Sequence, residues 1–296
     1  MKITLSRGAL LKPLTYVGSV VEKRQTLPIL SNVLIQYDGK DQLNLTGTDL
    51  EVELITSCSE ATGEAGEISI NARKLLDITR SLPEDAEISI TSEGNNKAII
   101  RSGKSRFTVQ TLPVDDFPKI ETEQWGQTWK LPATAFKHAL IRTAFAMAQQ
   151  DVRFYLNGLL LVADSDSMTT VATDGHRLAK TENLLTSRST DLEIQAIVPR
   201  KAIIELMRRM DDVDDEISVS FNPNHMRVEL ESVNFTSKLI DGRFPDYEKV
   251  IPSNQDKSVL IDRHELQNTL SRAAILTNEK FRGVRLILAN NKMSVS

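Results

Sequence analysis

The sequence predicts an α+β protein made of tandem domains, each with two helices packed on antiparallel β-sheets. Short segments with alternating or β-branched residues, typical of strands, are separated by only a few segments of helical periodicity. A series of motifs also occurs twice in the same order, which indicates a duplicated domain. A length of 296 residues is enough for two or three such domains.

The duplication is carried by motifs that recur at offsets of 125 to 127 residues. Thr48-Asp49 in the first copy returns as Thr173-Asp174, and Phe117-Pro118 returns as Phe244-Pro245. The matched segments are LTGTDLEVEL (45–54) with TVATDGHRLA (170–179), NARKLLDITRSL (71–82) with VPRKAIIELMRRM (198–210), and SRFTVQTLPVDDFPKI (105–120) with VNFTSKLIDGRFPDYEKVI (233–251).

A third copy starts after the second one. LIDRHELQNTLSRAAIL (260–276) follows the helical pattern of LPATAFKHALIRTAFAM (131–147). We therefore expect domain 1 over 1–125, domain 2 over 126–254 and an incomplete domain 3 over 255–296. One helix with one or two strands cannot bury a core of its own, so we expect residues beyond about 258 to be partly disordered or held only by their neighbours.

Each complete copy has strand and helix signals in a matching order. Strands are predicted at NVLIQY, EVELIT, EISI, KAIIR and RFTVQ in the first copy, and at MTTVAT, EISVSF, MRVEL and FTSKLI in the second. Helical spacing places Leu75, Ile78, Thr79 and Leu82 on one buried face in the first copy, and Ile203, Leu206, Met207 and Met210 in the second. The opposite, solvent-facing side of the second helix is predicted to carry Lys201, Glu205, Arg208 and Arg209.

Composition excludes several classes of protein. A single cysteine, Cys58, excludes an internal disulfide and a Cys-cluster zinc site. No apolar run approaches the roughly 20 residues that span a bilayer, and the N-terminal segment has no secretory signal pattern. We therefore expect a cytoplasmic protein with no membrane partner, no metal and no cofactor.

Positive charge is concentrated in the predicted helices. The chain has a net charge of −4, yet the helical segments together carry +10 and the remainder carries −14. Basic helix faces bind the phosphates of duplex DNA without reading its sequence. Arg73 and Arg80 are seven residues apart on such a face, and Lys201 and Arg208 repeat the spacing in the second copy. The alternative is that these charges only keep the helix surfaces soluble.

The stretch VATDGHRLAK (171–180) resembles a catalytic site, because an acid and an imidazole at Asp174 and His176 could serve general acid–base chemistry. The equivalent TDLE of the first copy keeps the Thr-Asp pair but has no histidine. A shared Thr-Asp pair favours a structural turn, since aspartate bonds nearby backbone amides. The sequence has no phosphate loop, nucleophile elbow or zinc-protease motif, so we expect no enzyme.

The repeats, basic helices and motifs together resemble one family over all 296 residues, the beta subunit of bacterial DNA polymerase III, a replicative sliding clamp. The motifs that carry the resemblance are TLPILSN (26–32), LTGTDLE (45–51), RSGKSRF (101–107), QDVRFYLNG (150–158), VATDGHRLA (171–179), VPRK (198–201), FTSKLIDGRFPDY (235–247) and RAAILTNEKFRGVRL (272–286).

The resemblance implies a ring that encircles duplex DNA. Two chains of three domains each would join head to tail, with helices lining the hole and sheets forming the outer wall. Such a clamp has no catalytic residues and tethers the replicative polymerase, which makes chromosomal replication processive. Its implied partners are duplex DNA, a second copy of the chain, and short peptides of the polymerase catalytic subunit, the clamp-loader ATPase and repair proteins.

The resemblance and the charge spacing assign three groups of residues. The DNA-binding group is Arg24, Arg73, Arg80, Gln150, Tyr155, Arg200, Lys201 and Arg208, of which Arg80 and Arg208 rest on charge spacing alone. The client-peptide pocket is Leu156, Thr173, Gly175, His176, Arg177, Leu178, Pro245 and Val250, with core packing an equal alternative for Leu156, Leu178 and Val250. The self-association group is Lys74, Arg106 and Phe107, which would meet Ile275 and Leu276 of a second chain.

The third domain of this family continues with further strands, one of which forms the interface between chains. We therefore expect that this chain, as it stands, does not close the ring or tether a polymerase processively. The alternative to a clamp is a non-encircling tandem-repeat scaffold that binds peptides and uses its basic helices only for solubility.

Overall fold

The structure is a computed structural model that describes residues 1–21, 27–40, 42–94, 96–120, 125–126, 128–184, 193–211, 215–253, 256–277, 283–289 and 292–296. Within these residues the chain divides into two compact units, Met1–Phe244 and Pro245–Ser296. The first unit contains the first copy and the second copy up to Phe244.

Within the described part of the chain, each complete copy contributes two helices and a series of strands, as the sequence predicts. The helices are α1 (Arg7–Val20), α2 (Ala72–Ser81), α3 (Ala133–Ala144) and α4 (Arg200–Arg209), with α5 (Arg263–Ala274) in the second unit. The strands are β1 (Lys2–Ser6), β2 (Asn32–Tyr37), β3 (Leu43–Thr48), β4 (Val52–Cys58), β5 (Thr62–Glu64), β6 (Gly66–Asn71), β7 (Glu87–Glu93), β8 (Lys97–Ser102), β9 (Ser105–Leu112), β10 (Thr128–Pro132), β11 (Gly158–Ala163), β12 (Ser167–Thr173), β13 (Leu178–Leu184), β14 (Ile194–Pro199), β15 (Glu216–Phe221), β16 (His225–Leu230), β17 (Val233–Lys238), β18 (Leu286–Ala289) and β19 (Lys292–Val295).

The helix starts are set by local chemistry. In the first copy, Ser6 Oγ accepts from the amide of Ala9 at 3.1 Å, and the Asn71 side chain accepts from the amide of Lys74 at 3.0 Å. Such caps satisfy backbone donors that have no partner within the helix. The buried face of α2 includes Leu75 and Thr79, as its periodicity predicts.

One sheet runs through both copies. Among the described residues, thirteen strands form it in the order β10-β15-β16-β17-β4-β3-β2-β6-β9-β8-β7-β1-β5. β17 of the second copy pairs antiparallel with β4 of the first, from Val233 opposite Thr56 to Ser237 opposite Val52. A further sheet of the second copy has the order β13-β12-β11-β14. Backbone hydrogen bonds therefore join the two copies directly.

A buried ionic cluster joins the copies on the helix side. Glu205 and Arg209 of α4 are only 6% and 8% exposed and form an ion pair at 3.1 Å. Arg209 also donates to the Tyr16 carbonyl at 3.0 Å and to the Ser19 hydroxyl, and both of these residues belong to α1. The prediction that Glu205 and Arg209 face solvent is wrong, because α1 of the first copy covers that side of α4.

A second ion pair crosses the same junction. The ammonium group of Lys201, in the first turn of α4, contacts the carboxylate of Asp49. The Asp49 side chain is only 4% exposed and belongs to the Thr-Asp turn of the first copy. Lys201, a member of the predicted DNA-binding group, thus pairs with a carboxylate of the other copy, and its contact with DNA stays a prediction.

The second unit contains α5 and a hairpin of β18 with β19. The Asp262 side chain caps α5 by accepting from the amide of Glu265 at 2.8 Å. None of the residues of α5 is buried, and β18 is exposed along its length. The helix and the strands match the expected start of a third copy, whereas partial disorder after the second linker stays a prediction.

Replacing Arg209 with methionine should destabilise the junction, because Glu205 would stay buried but lose its buried ion-pair partner, keeping only Ser19 and the exposed Arg208. Removing one member of a buried ion pair costs about 3–5 kcal/mol. We therefore expect Arg209→Met to unfold at a clearly lower urea concentration when unfolding is followed by circular dichroism.

Arg208→Met is the matched control. Arg208 bonds the same Glu205 at 2.7 Å, but its side chain is 61% exposed, and exposed pairs contribute at most about 1 kcal/mol. A double variant, Arg209→Met with Glu205→Leu, should recover much of the lost stability because no unpaired charge remains buried. Equal destabilisation by Arg208→Met and Arg209→Met would contradict the importance of this buried pair.

Candidate functional site

The Thr-Asp-Gly segment of the second copy forms a tight turn between β12 and β13. Asp174 Oδ1 accepts from the backbone amides of His176 at 2.9 Å and Arg177 at 3.0 Å. The Thr173 hydroxyl donates to the Arg177 carbonyl at 2.7 Å and accepts from the Gly175 amide at 3.0 Å. The two side chains thus bond the backbone across the whole turn.

The first copy forms the same turn. Asp49 Oδ1 accepts from the amides of Glu51 at 2.9 Å and Val52 at 2.7 Å, and the Thr48 hydroxyl donates to the Val52 carbonyl at 2.9 Å. The prediction that the shared Thr-Asp pair is a structural turn is confirmed, because both side chains make equivalent bonds in the two copies.

The residue after each aspartate has a left-handed backbone. The φ angle is +87° at Gly175 and +76° at Leu50, and only glycine adopts this region without strain. A Cβ atom on Gly175 would lie 3.1 Å from a guanidinium nitrogen of Arg153. Glycine at position 175 therefore avoids backbone strain in this turn and leaves room for the Arg153 side chain to pack against it.

Arg153 supports the turn, although the sequence analysis did not include it among the site residues. Its guanidinium donates to the Asp174 carbonyl at 3.3 Å and pairs with Asp151 at 2.9 Å. The hydrogen bonds that Arg153 donates lower the pKa of Asp151 to about 2. The motif QDVRFYLNG contains both residues, but nothing in its spacing indicates that Arg153 reaches a turn 21 residues away.

The carboxylate of Asp174 is fully occupied by the turn. Besides the two amides, its Oδ2 accepts from Arg177 Nε at 3.0 Å. Burial raises the pKa of Asp174, but hydrogen bonds from the His176 and Arg177 amides and the charge of Arg177 outweigh burial and lower it. No hydrogen bond joins Asp174 to the His176 ring in the described turn, so the two residues do not form an acid–base pair.

The residues that the structure describes contain neither a metal-binding cluster nor a membrane-spanning helix. Among them, no group of three His, Cys, Asp or Glu side chains lies close enough together to hold a metal ion. No helix among them combines the length and the apolar character that crossing a membrane requires.

The other predicted pocket residues differ in exposure. Leu178 is half-buried at the start of β13, opposite Thr173 of β12. Leu156 is only 2% exposed, and its place in the pocket stays a prediction beside core packing. Pro245 and Val250 lie in the second unit, where both are exposed.

An exposed aromatic residue accompanies the turn. Phe145 follows α3 and is 58% exposed, and the Arg177 guanidinium lies 5.6 Å from the centre of its ring. Exposed apolar side chains beside a few fixed polar groups are typical of sites that bind short peptides.

Arg73 and Arg80 are exposed on α2, as predicted. They line one cavity of about 350 Å³ together with Gly18 and Val21 of the α1 region. Within the described residues neither guanidinium forms an ion pair, so both charges face solvent.

The equivalent cations of the second copy are engaged within the protein. Lys201 contacts Asp49, and Arg208 bonds Glu205 at 2.7 Å. Arg200 is half-buried and donates to the Met147 carbonyl at 3.4 Å. The exposed positive charge therefore differs between the two copies, although the sequence repeats the same spacing of basic residues in both.

Three more residues of the predicted DNA-binding group remain. Gln150 is exposed and has a φ of +57° in the loop after α3. Tyr155 is half-buried and packs edge-on against Phe154, with ring centres 5.8 Å apart. Arg24 lies outside the described residues.

The residues of the predicted self-association group are accessible in each unit. In the first unit, Lys74 and Arg106 are exposed and Phe107 is half-buried. In the second unit, Ile275 and Leu276 are 76% and 94% exposed. Adjacent apolar side chains with this exposure are typical of a surface that another protein covers.

Family models match nearly the whole chain. The N-terminal, central and C-terminal domains of the DNA polymerase III beta subunit match residues 1–121, 130–246 and 248–296. The curated beta sliding clamp of Pseudomonas aeruginosa is 48% identical over 296 residues, which cover 100% of this chain and 80% of that protein.

Solved structures have the same fold. The crystal structure of the DNA polymerase III subunit beta from Pseudomonas aeruginosa has a TM-score of 0.95 and 47% identity, and the match covers 100% of this chain and 80% of that one. A sliding clamp from the same organism, solved bound to griselimycin, has a TM-score of 0.94 and 47% identity, with coverage of 100% and 79%.

The pair of Asp151 and Arg153 predicts a pH profile for the loop behind the turn. The pKa of Asp151 in the folded chain, about 2, lies below the ordinary value of about 3.9. Any stability from the pair is therefore fully present above about pH 4 and is lost as the pH falls through 2. We expect the ¹³C signal of the Asp151 carboxyl group to titrate with a midpoint near 2.

Arg153→Gln should raise that midpoint toward about 3.9, because the carboxylate loses its guanidinium donors. Arg142→Gln is the control, since it removes an exposed arginine of α3 for which the described residues show no ion pair. A midpoint near 2 that persists in Arg153→Gln would show that another group holds the Asp151 carboxylate.

Proposed function

The chain belongs to the DNA polymerase III beta subunit family and is a DNA sliding clamp, and we propose which of its residues contact DNA, partner peptides and a second chain. The family is the non-catalytic processivity subunit of the polymerase. This role agrees with Asp174, which holds a turn rather than a reacting group. Family membership supports a clamp over the alternative of a non-encircling scaffold.

The shared sheet is the observation that carries the proposal. Because β17 pairs with β4, one continuous sheet runs through both copies. α1 also contacts α2 within the first copy and α4 across the junction. A protein that holds DNA only by weak contacts needs a rigid structure around it, because weak contacts do not offset the entropy cost of ordering a flexible chain.

Arg73 and Arg80 carry the main DNA contact in this proposal, because their charges are exposed and unpaired within the described residues. Gln150, Tyr155, Arg200 and the exposed Arg208 add weaker contacts, and Arg24 completes the group. Lys201 contributes little, since its charge is opposed by Asp49. Sequence-independent phosphate contacts suit a protein that moves along a duplex.

The pocket beside the Thr-Asp-Gly turn takes short peptides in this proposal. Its members in the first unit are Leu156, Thr173, Gly175, His176, Arg177 and Leu178, and the membership of Pro245 and Val250 rests on the family resemblance alone. The clients are the polymerase catalytic subunit, the clamp-loader ATPase and repair proteins. A related clamp has been crystallised with bound griselimycin, so a relative with this fold does hold a ligand.

The two faces of a head-to-tail contact between chains are Lys74, Arg106 and Phe107 on one side and Ile275 and Leu276 on the other. The high exposure of Ile275 and Leu276 supports this assignment. The expectation that this chain alone does not close a ring stays a prediction. Duplex DNA of the bacterial chromosome is the substrate for tethering, so the cytoplasm is the proposed place of action.

The variant Arg73→Ala with Arg80→Ala should weaken binding to duplex DNA and flatten its salt dependence. Each phosphate contact contributes about 0.9 to the slope of log K against log salt, so the slope should fall by up to about 1.8. Fluorescence anisotropy of a labelled duplex, titrated at several low salt concentrations, measures both effects. Stability should change by less than about 0.5 kcal/mol because both side chains are exposed.

The control variant is Lys40→Ala with Lys104→Ala. It removes the same charge from exposed turns, between β2 and β3 and between β8 and β9. An unchanged slope in the α2 variant, or an equal loss in the control, would remove Arg73 and Arg80 from the DNA-binding surface.

Leu178→Asp should abolish peptide binding, because a carboxylate in an apolar pocket loses hydration without gaining a partner. The probe is a peptide from the clamp-binding segment of a bacterial DNA polymerase III catalytic subunit, titrated by calorimetry. Leu27→Asp is the control, since it places the same charge on a 49% exposed leucine of the first copy. Unchanged affinity for the peptide in a natively folded Leu178→Asp chain would contradict the assignment of Leu178 to the pocket.

A further inference from the structure

A groove at the junction of the two copies has walls that repeat those of the proposed peptide pocket. It encloses a cavity of about 350 Å³, lined by Thr48, Leu50, Pro118, Lys119, Ile120, His225 and Lys238. By the repeat alignment, the first three of these correspond to Thr173, Gly175 and Pro245. The Thr-Asp turn and the Phe-Pro corner of the first copy thus form a groove against the second copy.

The groove continues into a larger cavity of about 650 Å³, which shares His225 and Lys238 with the smaller one. Its wall contains both apolar and polar side chains, among them Leu160, Ile197, Asn224, Leu239, Asp241, Arg243 and Phe244. An extended peptide advances about 3.3 Å per residue and points successive side chains to opposite sides. A continuous groove of mixed character suits a chain in that conformation.

Positive charge dominates this surface, which we call the junction groove. Lys119, Lys238 and Arg243 are exposed, and the described residues offer none of them an ion pair. Asp241 is the acidic residue among the groove-lining side chains that the structure describes. His225 adds no charge at neutral pH, since burial and the charge of Lys238 lower its pKa.

Two glutamates near the junction groove do not cancel this charge by direct pairing. Glu51 contributes its carbonyl, which accepts from the Lys238 amide at 2.8 Å. Glu53 is 5% exposed, and its carboxylate accepts from the Ile120 amide at 3.1 Å. Burial raises the pKa of Glu53, although the Ile120 amide and the charge of Lys119 oppose the rise.

The fold does not require these cations. In the first copy, β9 matches β17 at an offset of 128, which places Gln110 where the second copy has Lys238. At the Phe-Pro corner the offset is 127, and Asp116 stands where the second copy has Arg243. The first copy nevertheless forms the equivalent strand, β9, and leads into the same Phe-Pro corner. Lys238 and Arg243 therefore add charge to the second copy beyond what the common structure needs.

We infer that the junction groove binds an acidic, extended peptide segment of a partner protein. Its carboxylates pair with the three cations, and its apolar side chains contact the aliphatic walls. The groove is separate from the pocket at the Thr-Asp-Gly turn, and the inference rests on the repeat alignment and the local charge. Failure of the client-pocket proposal would therefore not by itself refute this inference.

The test uses a fluorescein-labelled octapeptide that alternates glutamate with leucine, titrated with the full chain at low salt and followed by anisotropy. The variant Lys238→Thr with Arg243→Asp removes two of the three cations of the junction groove. We expect it to raise Kd about tenfold or more and to flatten the salt dependence, because the attraction is electrostatic. The matched peptide with glutamine for glutamate should bind the parent chain about tenfold more weakly.

The control variant, Lys40→Thr with Lys104→Asp, makes the same charge change at exposed turns and should keep the parent affinity. Leu178→Asp should keep it as well, which separates this groove from the client pocket. Circular dichroism verifies folding, and Lys238→Thr alone provides a second variant with a smaller expected loss. Equal affinity for the two peptides, unchanged binding in the groove variants, or equal weakening in the control would overturn the inference.

Discussion

The pairing of β17 with β4 is the constraint on which the rest of the structure depends. It turns the two copies into parts of one sheet, and it brings the Thr-Asp turn of the first copy beside α4 of the second. It also removes two exposed strand edges, which would otherwise present unpaired backbone groups. The ion pairs on the helix side, Lys201 with Asp49 and Arg209 with Glu205, form only because the sheet sets this arrangement.

Because of this constraint, some basic residues of the helices are exposed and others form contacts between the two copies. The cations of α2, Arg73 and Arg80, remain exposed. On α4, Arg209 is buried against α1, and Lys201 is paired across the junction. A count of charges in the sequence therefore overestimates the surface available to DNA, because part of the positive charge stabilises the contact between copies.

Features that depend on neighbours along the chain could be predicted from the sequence, and distant contacts could not. The Thr-Asp turns and the buried face of α2 follow from residues only a few positions apart, and both predictions were correct. The burial of Arg209 depends on Tyr16, 193 positions away, and the engagement of Lys201 depends on Asp49, 152 positions away. No periodicity within a helix contains that information, so the polar side of α4 was misread as solvent-facing.

Native-state hydrogen exchange at the junction tests most directly the central claim that the two copies form one body. The amides of β4 and β17 that bond across the junction should exchange as slowly as those of β3 and β16, because only global unfolding would expose them. β13, at the edge of its sheet, supplies the reference for a strand that opens locally. Exchange at the junction as fast as at β13 would show that the copies separate independently, and it would contradict this account.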